Sequence, residues 1–154
     1  MMGVAADAAL EAGGEVAGVI PDVIVDLEVG HSGLTELRVV RTMHERKAVM
    51  AERGDAFIAL PGGFGTMDEF MEIVTWAQLG IHSKPCVLVN VAGYYDALLR
   101  FLDAGVSEGF IRAGNRALVQ VAANTAEALE IVERAWAAQT EVPPHDERLD
   151  ELVK

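Results

Sequence analysis

Apolar positions along this chain fall in short continuous runs separated by stretches of helix-forming residues. The runs are Glu15-Val16-Ala17-Gly18-Val19-Ile20, Leu34 to Val40, Asp55-Ala56-Phe57-Ile58-Ala59-Leu60-Pro61, Pro85 to Val91 and Ala117 to Ala123. Each is bounded by Gly, Pro or polar residues and reads as a strand. Between them, Met2 to Ala12, Thr42 to Arg53, Met67 to about Leu79, Tyr94 to Gly105 and Thr125 to Gln139 read as helices. Gly13-Gly14 is a stop signal for the first helix, and Thr42 is placed as an N-cap for the second. Residues 21–34 read as a loop, and Ser107 to Asn115 as a turn or short helix. The strand runs are mostly apolar and not half-polar alternations, which marks strands buried on both faces. Strand alternating with helix then predicts an α/β fold, a doubly wound parallel sheet with helices on both sides. No repeat or linker interrupts residues 1–140, which read as one domain. Residues 141–154 read as a polar, acidic, mobile tail.

Composition narrows the class without changing that picture. The chain has 154 residues, 51% apolar and 23% charged, a soluble globular balance. Twelve basic residues against 24 acidic ones give a net charge of −12, which argues against duplex nucleic acid or an anionic membrane as partner. One cysteine, Cys86, excludes an internal disulfide and any multi-cysteine metal site. The four histidines form no His-x-x-x-His pair, so no metal is expected. No apolar run reaches the roughly 18 residues of a membrane span. The N-terminus has no basic n-region of a secretory signal, so a cytoplasmic location is expected.

The most informative passage is strand, Pro61-Gly62-Gly63-Phe64-Gly65-Thr66, helix. Glycines admit close approach of a ligand and positive φ. A turn that feeds a helix N-terminus points free N–H groups and the positive dipole end at an anion. A phosphate site follows, and so does the plainer reading of a tight turn. The passage is neither a Walker A loop, since no Lys follows the last glycine, nor a full Gly-x-Gly-x-x-Gly fingerprint. Thr66 and Glu69 also fit a capping box, with Thr66 as N-cap. Glu69, Glu72 and Trp76 share one helix face.

A second cluster lies upstream. Four of the twelve basic residues fall within Arg38 to Lys47, and the first 37 residues hold none. In an acidic chain such a local cluster suits a small anionic ligand. Met43, Arg46, Lys47 and Met50 form one helical stripe, which equally fits a half-buried structural face with Arg46 paired to a carboxylate. Lys47 can in principle form a Schiff base with pyridoxal phosphate, but nothing in the sequence marks it as desolvated.

Met43-His44-Glu45-Arg46-Lys47 followed by Pro61-Gly62-Gly63-Phe64-Gly65-Thr66-Met67-Asp68-Glu69 resembles the LOG ("Lonely guy") family. The resemblance continues through Thr75-Trp76-Ala77-Gln78-Leu79-Gly80-Ile81-His82 and Asn90-Val91-Ala92-Gly93-Tyr94-Tyr95-Asp96, and covers the chain as far as Val121. It implies a Rossmann-like homodimer that hydrolyses the N-glycosidic bond of cytokinin riboside 5′-monophosphates or adenosine 5′-monophosphate. The products are free base and ribose 5-phosphate, with no metal or redox cofactor. It also implies Arg46 and Glu69 as the catalytic pair. Gly62, Gly63, Gly65 and Thr66 would hold the 5′-phosphate, with Lys47 among the substrate-binding residues. Met43 would lie near the base and Glu72 near the ribose. Glycosidic cleavage passes through an oxocarbenium-like centre, which a carboxylate such as Glu69 can stabilise or supply with activated water. Arg46 can orient the nucleotide or hold Glu69 ionised.

The family opens with a strand, a helix and a second strand ending in a Gly-Gly-Gly-x-x-Gly-Leu-Met-Gly turn. Met1-Met2-Gly3 resembles the end of that turn, so a unit of roughly 30 residues is expected to be absent. A misassigned start, a fragment, or a shortened paralogue without turnover each fit, the first two better. A core so reduced is expected to be poorly stable. The competing functions are a non-catalytic nucleotide- or cofactor-binding protein, similar to molybdenum-cofactor carriers, and the lysine decarboxylase of the family's older label.

Overall fold

The computed structural model describes residues 2–24 and 33–140. The expected acidic tail at 141–154 and most of the expected loop, residues 25–32, lie outside the described residues. The chain divides into two compact units, Met1–Gly54 and Asp55–Lys154.

In the first unit, helix α1 (Met2–Glu11) stops at Gly13, whose φ of +82° turns the chain and is open to glycine without strain. Strands β1 (Ala17–Pro21) and β2 (Glu36–Val40) then pair in parallel, Ala17 opposite Glu36 through Pro21 opposite Val40. Pro21 closes its strand, a position where a missing N–H does least harm. Helix α2 (Met43–Arg53) begins as the sequence predicts. The Glu45 N–H donates to the Thr42 hydroxyl at 3.0 Å, and the Glu45 carboxylate accepts from the Arg41 N–H at 2.9 Å. At its other end Arg53 makes two 2.8 Å hydrogen bonds to Glu36. Those bonds hold the Glu36 carboxyl below its ordinary value. The pair is exposed, so it fixes geometry more than it adds stability.

The second unit holds a parallel sheet of β3 (Phe57–Ala59), β4 (Cys86–Val89) and β5 (Val119–Ala122) in the order β3-β4-β5. Phe57 sits opposite Cys86, and Cys86 opposite Val119. The central strand needs neighbours on both edges and cover on both faces, and its unbroken apolar sequence supplies that: Val87, Leu88 and Val89 are 0% exposed. Val87, Val89 and Ala122 pack with Ala128, Ile131 and Val132 of α6 (Thr125–Thr140). Helices α3 (Phe64–Gln78), α4 (Asp96–Ser107) and α5 (Ala113–Arg116) complete the unit. Phe70 and Ile73 are the buried residues of α3. Because all three strands run the same way, the segments that follow them gather at one end of this sheet.

The α/β class with parallel strands is the one the alternating pattern implies, arranged as a two-stranded and a three-stranded sheet. Most boundaries shift by one or two residues, and two differences bear on the site. The third strand is three residues long, because only Phe57–Ala59 find partners on β4 and Pro61 has no N–H to offer. Helix α3 starts at Phe64, three residues before the expected Met67. None of the helices among the described residues is long and apolar enough to cross a membrane.

Cys86 is 1% exposed, and burial pushes its thiol from 9.0 to about 11. At pH 8 the native thiol should therefore react with iodoacetamide at least roughly a hundredfold more slowly than free cysteine. Denaturation should restore the ordinary rate, and rapid native labelling would contradict the burial. The unfolded thiol ionises near 9 and the folded one near 11. Across that window the unfolded state binds fewer protons, so stability falls as pH rises. Urea midpoints between pH 8.5 and 10.5 should decline, and C86A should flatten part of the decline.

Candidate active site

At the carboxyl end of β3 the chain turns through Pro61-Gly62-Gly63 and enters α3. The N-cap is Gly63, which has no side-chain cap, and no acidic residue stands in the first turn. The first intrahelical bond runs from the Met67 N–H to the Gly63 carbonyl at 3.1 Å. The N–H groups before Met67 therefore have no acceptor within the helix. Helix α2 answers the same need with Thr42 and Glu45, and α6 with Asn124 and Glu127, while α4 carries Asp96 in its first turn. Of these helices, α3 alone presents an uncapped, uncompensated positive end. Backbone donors and dipole together favour an anion there.

This start corrects the capping-box expectation. Thr66 lies inside the first turn of α3 and cannot be its N-cap. Its side chain instead covers Gly62: a Cβ at position 62 would collide with the Thr66 hydroxyl and come within 2.8 Å of Thr66 Cβ. Gly62 is thus required by the close approach of Thr66. Gly63 and Gly65 have open space where a Cβ would stand, so nothing in the fold crowds them. None of the three has positive φ, contrary to one of the two reasons for expecting glycine here; among the described residues of the unit, Gly80, Ala92, Gly93 and Gly109 have positive φ.

Glu69 and Glu72 follow on the same helix, one turn apart, and both are half-buried, as is Trp76. Gly62, Gly63, Gly65, Thr66, Glu69 and Glu72 are thus gathered on one turn and two helical turns behind it. Met43, Arg46 and Lys47 are gathered on α2 in the other unit. There Met43 is the exposed first residue, Arg46 is half-buried and Lys47 is buried, the one buried charged side chain among the described residues. Met50 of the same stripe is partly exposed. Among the described residues no group of His, Cys, Asp or Glu is arranged to hold a metal ion.

Tyr94 and Tyr95, which the sequence places in a matched motif without a role, reach this turn. The Tyr94 hydroxyl donates to the Gly62 carbonyl at 2.8 Å, and the Tyr95 hydroxyl to the Leu60 carbonyl at 2.6 Å. Their rings meet edge to face, centroids 4.9 Å apart. The segment that presents them departs from ordinary backbone. Ala92 has φ 52°, ψ 29°, a left-handed conformation that costs a non-glycine residue about 1–2 kcal/mol. Gly93 follows with φ +72°, and a Cβ there would come within 2.6 Å of the Asp96 carboxylate. Asn90 braces the segment, accepting from the Tyr95 N–H at 2.7 Å and donating to Asp96 at 2.8 Å. A Tyr-Tyr pair just past the end of a strand, facing a glycine turn, is the only local signal that pointed to this.

G62A should destabilise the chain by about 1–3 kcal/mol, because the new methyl has to displace Thr66. The double variant G62A/T66A should recover part of that loss in denaturant unfolding. Strict additivity of the two changes would show that Thr66 is not what excludes a side chain at Gly62.

Comparison with known proteins agrees with the motifs. The family model described as "Possible lysine decarboxylase" matches residues 2–132. The chain is 55% identical over 122 residues to "Cytokinin riboside 5′-monophosphate phosphoribohydrolase" of Rhodococcoides fascians, covering 79% of this chain and 62% of that protein. It is 47% identical over 144 residues to "Probable cytokinin riboside 5′-monophosphate phosphoribohydrolase LOGL1" of Oryza sativa subsp. japonica, covering 94% and 65%. It is 42% identical over 153 residues to the corresponding LOG2 protein of Arabidopsis thaliana, covering 99% and 69%. The chain thus spans between 62% and 69% of the length of these relatives. With the paired motifs, the parallel α/β architecture and a family match over most of its length, the chain belongs to the LOG family.

Proposed function

We propose that this protein hydrolyses the N-glycosidic bond of adenosine 5′-monophosphate or its N6-substituted derivatives, releasing free base and ribose 5-phosphate. The observation that carries the reading is the uncapped, acid-free start of α3 with Glu69 one turn behind it. A 5′-phosphate is the anion such a helix end favours. The relatives' names support the same chemistry, since each is named a cytokinin riboside 5′-monophosphate phosphoribohydrolase, the rice protein as a probable one.

In the proposed reaction the bond between C1′ of the ribose and the ring nitrogen of the base breaks, and the base leaves with the electron pair. Positive charge builds on C1′ and the ring oxygen, and the Glu69 carboxylate stabilises it. A water oxygen bonds to C1′; one water proton stays on the new hydroxyl and the other passes to the departing base, by way of Glu69. Gly62, Gly63, Gly65 and Thr66 hold the phosphate through backbone N–H groups and the Thr66 hydroxyl. Glu72 is assigned to the ribose hydroxyls and Met43 to the base. Arg46 is assigned with Glu69 as the catalytic pair and orients the nucleotide, while Lys47 adds positive charge for the substrate's anion. In this reading residues 1–140 act as one functional domain, in the cytoplasm, as a homodimer. Phe101 and Phe110, both largely exposed, offer apolar surface that a second copy can cover.

Incubation with adenosine 5′-monophosphate and its N6-isopentenyl derivative should yield free base and ribose 5-phosphate in equal amounts, read by chromatography. E69Q should lose about 10²- to 10⁴-fold in turnover with little change in nucleotide binding. R46A should lose turnover as well. Nucleotide binding without any base release would turn the reading into that of a binding protein. Near-normal turnover by E69Q would remove the assignment of that carboxylate.

A further inference from the structure

Two phenols reach the glycine turn from the segment after β4, and they differ in what burial demands of them. Tyr95 is 2% exposed, and a buried hydroxyl has to find a partner; the Leu60 carbonyl is that partner. Burial, with Tyr94 beside it, pushes its phenol above the ordinary value, against a hydrogen bond with the Gly62 backbone that lowers it. Tyr94 is 55% exposed. Water would satisfy its hydroxyl equally well, so its bond to the Gly62 carbonyl is not forced by desolvation.

What that bond does follows from the planarity of the peptide. The Gly62 carbonyl and the Gly63 N–H belong to one rigid trans unit and point in opposite directions. A donor that fixes the carbonyl therefore fixes the N–H on the far side of the same plane. Left alone, this peptide would be among the freest in the unit, since it joins two glycines and Gly63 has no Cβ contact to hold it. The same peptide leads into the uncapped start of α3. The Leu60 carbonyl belongs to a peptide whose nitrogen is Pro61, with no N–H to aim. Tyr95 therefore anchors the turn, while Tyr94 orients a donor.

We propose that Tyr94 is a positioning residue for the anion site: its hydroxyl, bonded to the Gly62 carbonyl, sets the Gly62–Gly63 peptide so that the Gly63 N–H stands ready for a phosphate oxygen. The proposal rests on the phosphate reading of the turn and adds a residue from a separate segment to it. The braced conformation of Ala92 and Gly93, with Asn90 holding both Tyr95 and Asp96, keeps Tyr94 in reach of the turn.

The test uses the full chain, labelled with ¹⁵N, titrated with ribose 5-phosphate and separately with inorganic phosphate. The wild-type Gly63 amide resonance should shift on titration with either anion. In Y94F the free protein's Gly63 resonance should move, and affinity for ribose 5-phosphate should weaken about three- to tenfold, the loss expected for one hydrogen bond. Its melting temperature should stay within about 2 °C of wild type. Y95F should do the reverse, lowering the melting temperature more than the affinity. Unchanged affinity and an unchanged Gly63 resonance in Y94F overturn the positioning role, as does a Y94F melting loss as large as that of Y95F with affinity intact. Failure of the wild-type chain to bind either anion strikes the phosphate reading itself, and the role of Tyr94 falls with it.

Discussion

Gly62 sits where a strand has just ended and a helix is about to begin, and the Thr66 side chain occupies the space a Cβ would need. Much of the second unit's carboxyl end follows from that contact. With Thr66 folded back over Gly62, the helix is already under way at Phe64, and Gly63 is left to cap it without a side chain. A serine, threonine or aspartate at Gly63 would satisfy the first N–H groups internally and close the end to a ligand. Glycine leaves them pointing outward with the dipole uncompensated. The exposed start of this helix is thus a consequence of residue choice at a few adjacent positions, and it is bought with the flexibility of a Gly-Gly peptide.

The rest of the unit restrains that flexibility. The central strand, with three consecutive residues wholly buried, is the most deeply buried strand of its sheet. The segment leaving that strand carries Asn90, the left-handed pair Ala92 and Gly93, and then the two tyrosines whose hydroxyls reach the carbonyls of Leu60 and Gly62. Backbone strain at Ala92 is tolerated because the Asn90 side chain ties the segment at two points. A stable strand thereby lends its order to a loop that has no apolar side chains of its own between Pro61 and Phe64. The first unit does something separate: it carries Met43, Arg46 and Lys47 on one helix whose N-terminus, unlike that of α3, has a side-chain cap from Thr42 and an acidic residue, Glu45, in its first turn.

Much of this was legible along the chain because the signals are local. Mostly apolar runs marked the strands, Thr42 marked the start of α2, and the glycine turn stood out where a strand met a helix. Burial on both faces does not hold for β2, which carries Glu36 and Arg38 and is exposed except at Val40. The start of α3 was misplaced by three residues because Gly-Phe-Gly has low helix propensity, and Thr-x-x-Glu imitated a cap. The tyrosine bonds join residues 32 and 35 positions apart, beyond anything periodicity reports. The burial of Lys47 was equally invisible, since it depends on packing around α2 and not on the residues beside it. The proposed roles of Arg46 and Glu69 rest on motif resemblance; the structure contributes their elements, α2 and α3, and the half-buried setting of each.

A crystal structure of the full chain with ribose 5-phosphate tests most directly whether the start of α3 receives a phosphate group. The predicted result is phosphate oxygens about 3 Å from backbone nitrogens between Gly63 and Thr66, with the Tyr94 bond to Gly62 retained. A phosphate seated elsewhere in the molecule, with this turn empty at saturating ligand, would contradict it.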